Sequence, residues 1–146
     1  MASLNHVGLT VTDLEASVAF YVDVVGMELV LPGFRAGGQW FDTLTENSGA
    51  LIEAALLSAG DLSLQLVQYH EAGNPEALTG HNRVGNLHLS FDVEDAQAKH
   101  AQLGRRPEYS ATAVVELPVE GYRSFYVRDP DGVPVEFLES PKRDGT

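Results

Sequence analysis

The segment His6-Val7-Gly8-Leu9-Thr10-Val11-Thr12-Asp13 returns 82 residues later as His88-Leu89-Ser90-Phe91-Asp92-Val93-Glu94-Asp95. Both copies are an alternating strand that runs into an acidic helix start. A chain that restarts this way builds two similar modules. Neither is large enough to bury a full core alone, so the two are expected to complete each other within one α+β domain spanning 1–146, with modules at 4–70 and 86–140.

Each module can be followed along the chain. From Leu4 to Val11, Asn5, Val7, Leu9 and Val11 point one way and Leu4, His6, Gly8 and Thr10 the other, as in a strand with one face on a core. Thr12 and Glu15 have the spacing of a capping box. Leu14, Val18, Tyr21, Val22 and Val25 recur at helical intervals, and Gly26 supplies the stop. A short strand is expected at Glu28 to Leu31, a loop at Pro32 to Gln39, and a strand at Trp40 to Thr45. A turn at Asn47-Ser48-Gly49 then leads to strands at Leu51 to Leu57 and Leu62 to Tyr69. The order is β-α-β-β-β. The second module predicts a helix from Asp95 to Leu103 ending at Gly104, and strands at Ala113 to Leu117 and Arg123 to Arg128. The turn Asp129-Pro130-Asp131-Gly132 leads to a last strand at Val133 to Glu139.

Composition narrows the function classes. Twenty-one acidic against nine basic residues give a net charge of −12, which repels phosphate backbones and anionic lipids, so neither nucleic acid nor a membrane surface is an expected partner. The chain has no cysteine, which excludes disulfides, thiolate metal sites and cysteine nucleophiles. No apolar run approaches the ~20 residues of a membrane span, and Met1 to His6 lacks the marks of a signal peptide. A cytoplasmic location is expected.

Four polar residues sit in or beside apolar strands: His6, Gln65, His88 and Glu136. The repeat pairs His6 with His88, and Gln65 with Glu136 on the last strand of each module. A polar group buried without a partner costs roughly 2–7 kcal/mol. A shared metal removes that cost, and two imidazoles, an amide oxygen and a carboxylate form an N₂O₂ set for one divalent ion with positions left for water or substrate. Zn, Ni, Co, Mn and Fe all suit such mixed donors. A single strand histidine is more often a surface or hydrogen-bonded residue; it is the recurrence of the pattern in both copies that favours a metal.

His6-Val7-Gly8-Leu9, Phe20-Tyr21, Val25-Gly26, Asn86-Leu87-His88-Leu89 and the run Arg128-Asp129-Pro130-Asp131-Gly132-Val133-Pro134-Val135-Glu136 resemble the vicinal oxygen chelate superfamily. This superfamily includes glyoxalase I, methylmalonyl-CoA epimerase, extradiol dioxygenases, fosfomycin-resistance enzymes and bleomycin-binding proteins. The resemblance covers about Leu4 to Glu139. It implies paired βαβββ modules forming a cupped, incomplete barrel around the metal, with His6, Gln65, His88 and Glu136 as ligands. It also implies a homodimer, because such modules leave sheet edges for a second chain to cover.

The implied chemistry is chelation of a small molecule through two neighbouring oxygens, with the metal as a Lewis acid that stabilises an enolate. The set His, Gln, His, Glu is similar to that of some methylmalonyl-CoA epimerases, and bacterial glyoxalase I usually has Glu in place of Gln65. Those epimerases also resemble Gly49-Ala50-Leu51-Ile52-Glu53, where a strand Glu serves as a base. Glu53 and Glu136 would then act on opposite faces of one carbon as general base and acid. Glu53 is equally readable as a solvent-facing strand residue. The expected function is proton transfer next to a carbonyl, by an epimerase, isomerase or glyoxalase-type lyase. One alternative is a metal-free drug-binding resistance protein, which the acidic charge suits. Another is an Fe(II) extradiol-type dioxygenase using His6, His88 and Glu136, with Tyr126 ten residues before Glu136. His81 in the inter-module stretch is a further candidate to reach a substrate.

Overall fold

The computed structural model describes residues 1–142. The described chain divides into two compact units, Met1–Glu76 and the part from Ala77 onward. Each is a four-stranded mixed sheet with the helix that follows its first strand on one face, and in the first unit a second, short helix packs on the other.

In the first unit β1 (Val7–Val11) leads into α1 (Leu14–Phe20), extended by a π-helical turn at Tyr21–Val25. Then follow β2 (Glu28–Gly37), α2 (Gln39–Thr45), β3 (Leu51–Ala59) and β4 (Leu62–Glu71). The strand order is β1-β4-β3-β2, with β1 parallel to β4 and the rest antiparallel. The second unit repeats the plan with β5 (Leu89–Asp92), α3 (Ala96–Leu103), β6 (Val115–Glu116), β7 (Arg123–Arg128) and β8 (Pro134–Glu139), in the order β5-β8-β7-β6. The α+β class and the tandem βαβββ modules are as the repeat predicts.

Several local details differ from the sequence expectations. The cap of α1 is Asp13, not Thr12: its carboxylate accepts from Ala16 N at 3.0 Å, and Asp95 does the same for Ala98 N at 2.9 Å in α3. The segment expected to be a short strand and a loop is one strand, β2, which passes Pro32 and Gly33 with register shifts on either side of Leu31. Trp40 to Thr45 is helical rather than extended, closed by Glu46 in a left-handed conformation. Gly26, at φ 91°, ends the first helix as expected.

Helix packing defines one face of each sheet. On the α1 side of the first, Leu57, Leu64 and Leu66 are fully buried, and Gln68 Oε1 accepts from Leu14 N at the start of α1 at 2.8 Å. On the α3 side of the second, Phe125, Val127, Val135 and Phe137 are buried, and Glu139 Oε2 accepts from Ala96 N, again at 2.8 Å. One side chain from the last strand of each unit therefore satisfies a free N–H at its helix start. Gln68 and Glu139 lie 71 residues apart, as do Gln65 and Glu136, so the repeat extends to the last strand of each unit. No helix among the described residues is long and apolar enough to cross a membrane.

Candidate functional site

Alternation along the strands sends the candidate ligands to the face opposite the helices. In the first unit Gly8 stands beside Gln65 and Thr10 beside Val67. His6, one residue before β1, continues that alternation on the Gln65 face. Its Nδ1 lies 2.7 Å from Asn5 Oδ1. With that oxygen as acceptor, Nδ1 carries the proton and Nε2 keeps its lone pair for a metal. Part of the Gln65 face is an apolar cluster. Phe41 of α2 packs there with Ala50, Ile52 and Ala54, flanked by Phe34, Ala36, Val67 and Tyr69.

The second unit is chemically richer. Ser90 on β5 and Tyr126 on β7 both stand in register with Glu136 on β8. Ser90 Oγ donates to Glu136 Oε1 at 2.7 Å, and the Tyr126 hydroxyl donates to the same carboxylate. Burial and the adjacent Glu136 push the Tyr126 phenol up to about 12, so it stays protonated at neutral pH. His88 meets the Tyr126 ring edge-on, with centroids 5.6 Å apart. His81 meets it from 4.7 Å. His81, His88, Ser90, Tyr126 and Glu136 thus form one polar cluster. Tyr126 and Ser90 are the members whose contact with Glu136 the sequence reading missed. Counting the Arg123–Glu139 hairpin out from its Asp129–Gly132 turn would have placed Tyr126 opposite Glu136.

Glu53 does not share a face with Gln65. The hairpin register pairs Leu56 with Gln65 and Glu53 with Gln68, and Gln68 caps α1. Glu53 therefore lies on the helix side, where its carboxylate is 3.6 Å from Arg35 Nε. The expected base on the Gln65 face is corrected on this ground. The geometry follows from the tight turn at Gly60-Asp61, which joins Ala59 directly to Leu62 in the ladder and so fixes the face of every β3 residue.

Each unit thus carries two members of the N₂O₂ set, a His just before its first strand and a Gln or Glu on the neighbouring last strand: His6 with Gln65, and His88 with Glu136. Among the described residues, no three or more His, Cys, Asp or Glu side chains gather closely enough to hold a metal ion. The donor chemistry of the two pairs suits a divalent ion, imidazole nitrogen being joined by amide oxygen in one and carboxylate in the other.

Two four-stranded βαβββ sheets, with His directly before the first strand and Gln or Glu on the last, define a vicinal-oxygen-chelate type of domain. Residues 3–137 match the Glyoxalase/Bleomycin resistance protein/Dioxygenase superfamily, and the chain belongs to it. Members of this superfamily commonly use a divalent metal. The chain is 29% identical over 146 residues to a 2-epi-5-epi-valiolone epimerase of an Actinomyces species, a match covering 95% of this chain and 80% of that protein. Its fold matches a glyoxalase family protein from Bacillus cereus with a TM-score of 0.84, covering 97% of this chain and 96% of the other at 19% identity. It is also similar to a lactoylglutathione lyase from Agrobacterium tumefaciens, with a TM-score of 0.60 and 26% identity over 95% of this chain and 94% of the other.

Proposed function

We propose that the protein is a metal-dependent enzyme that moves a proton next to a carbonyl, as an epimerase, isomerase or glyoxalase-type lyase. What supports this reading is the recurrence of a His one residue before the first strand and of Gln or Glu on the last strand of each sheet, His6 with Gln65 and His88 with Glu136. These four residues would hold one divalent ion (Zn, Ni, Co, Mn or Fe). When bound, the ion would supply Lewis acidity toward two neighbouring oxygens of a small-molecule substrate. The neutral amide of Gln65, in place of a carboxylate, leaves that centre one charge unit more positive.

The chain's own residues do the rest. Glu136 accepts hydrogen bonds from Ser90 and Tyr126 and is the carboxylate positioned to exchange a proton with the substrate carbon. With Glu53 on the helix side, Tyr126 and His81 are the other groups of that cluster that carry a transferable proton. The epimerase and lyase relatives support proton-transfer chemistry; a binding module would need neither the donor pairs nor the hydroxyls around Glu136.

The test is proton exchange in deuterated water. Metal-loaded protein would be offered 2-epi-5-epi-valiolone, methylmalonyl-CoA and the glutathione–methylglyoxal hemithioacetal in turn. Metal-dependent deuterium uptake at the carbon beside the carbonyl of any one is the expected result. Tight drug binding by metal-free protein, with no exchange on any of the three, would replace this reading with the binding module. We further propose a homodimer in solution, because β2 is a long edge strand with Leu29, Val30 and Leu31 exposed. Sedimentation should show about twice the chain mass at micromolar concentration, and a monomer alone would rule the dimer out.

A further inference from the structure

The two units are alike in backbone and unlike around the last-strand ligand. Gln65 has Gly8 in register on one neighbouring strand and Leu56 on the other. Neither carries a side-chain hydrogen-bonding group. Glu136, the equivalent residue, has Ser90 and Tyr126 in those two places, and both hydroxyls donate to its carboxylate. The Tyr126 ring is in turn met edge-on by His81 and His88.

From this asymmetry we infer that Ser90 and Tyr126 are positioning residues that fix the Glu136 carboxylate in one orientation. A glutamate has three side-chain torsions, and an unsupported one on a half-exposed strand samples many rotamers. A donor on each side removes most of that freedom before any ligand arrives. A carboxylate already pointed the right way binds an ion more tightly, because less ordering remains to be done on binding. Gln65 has no such support and adapts to the ion. The second unit thus presents a rigid oxygen donor and the first a compliant one. His81 acts a step further out, by keeping the Tyr126 ring in place.

This inference rests on Glu136 being a metal ligand, and the experiment separates the two claims. Zinc or nickel alone would be titrated into the full-length protein against a chromophoric chelator, with folding followed by circular dichroism. Tyr126→Phe and Ser90→Ala are each expected to weaken metal binding by roughly tenfold, the low end of the effect of outer partners, with the melting profile of the metal-free protein retained. Ser90→Thr, which keeps a hydroxyl, should restore the affinity. Ser124→Ala is the control, because Ser124 lies on the same face and its hydroxyl has no hydrogen-bond partner among the described residues. Unchanged affinity in both Tyr126→Phe and Ser90→Ala would overturn the positioning role while leaving the metal centre standing. A wild-type protein that binds no ion would overturn the metal centre, and this role with it.

Discussion

Replacing His88 by alanine should leave the purified protein with far less than the about one equivalent of divalent metal that a single N₂O₂ centre holds. Loss of a direct imidazole donor should weaken binding by more than the roughly 10–100-fold seen for outer partners. Proton exchange should fall to the metal-free rate. The fold should survive, because His88 is exposed just before β5 and outside the buried core of its unit. Atomic absorption after exhaustive dialysis, with a melting curve beside it, reads both effects. Full metal content in His88→Ala would remove this residue from the ligand set.

A second large effect is expected on the other side of the same sheet. Phe137 is buried between β8 and α3. Its ring centroid lies 5.4 Å from Phe125 and 6.4 Å from Phe91, and the Lys99 ammonium sits 5.0 Å above it. Burial pushes the Lys99 amine below its ordinary pKa. Phe137→Ala removes the centre of this cluster and leaves a cavity, which typically costs about 3–5 kcal/mol. Urea unfolding should show the loss as a lower midpoint. A change under about 1 kcal/mol would mean that the unit collapses around the gap, contrary to the tight packing of protein cores.

The last strand of the second unit shows what the sequence made legible. Phe137 and Glu136 are adjacent, and period-2 alternation alone sends them to opposite faces. The 82-residue repeat likewise revealed the strand–helix entries and the His6/His88 pairing, because those positions recur without insertion. The signal failed where the chain lacks periodicity. Segment α2 has only seven residues, too few for a helical repeat to stand out, and its Trp, Phe and Thr content favours strand. In β2 the Pro32-Gly33 pair has the form of a turn, yet the strand absorbs it by shifting register. The one-residue error at the helix cap arose because Thr12 and Asp13 are both good caps. For Glu53 the two readings stayed open, since the resemblance that implied a base said nothing about which face the residue takes. Counting outward from the Gly60-Asp61 turn would have set it beside Gln68.

The separation of faces has a practical corollary for anyone wishing to redesign such a protein. In the second unit, alternate positions of the same strands serve different masters: one set packs on the helix, the other carries the polar cluster around Glu136. The second set can be rewritten residue by residue while the first is held constant. A library restricted to positions 90, 126 and 136, outside the buried core of the second unit, would sample new reactivities at little risk to folding.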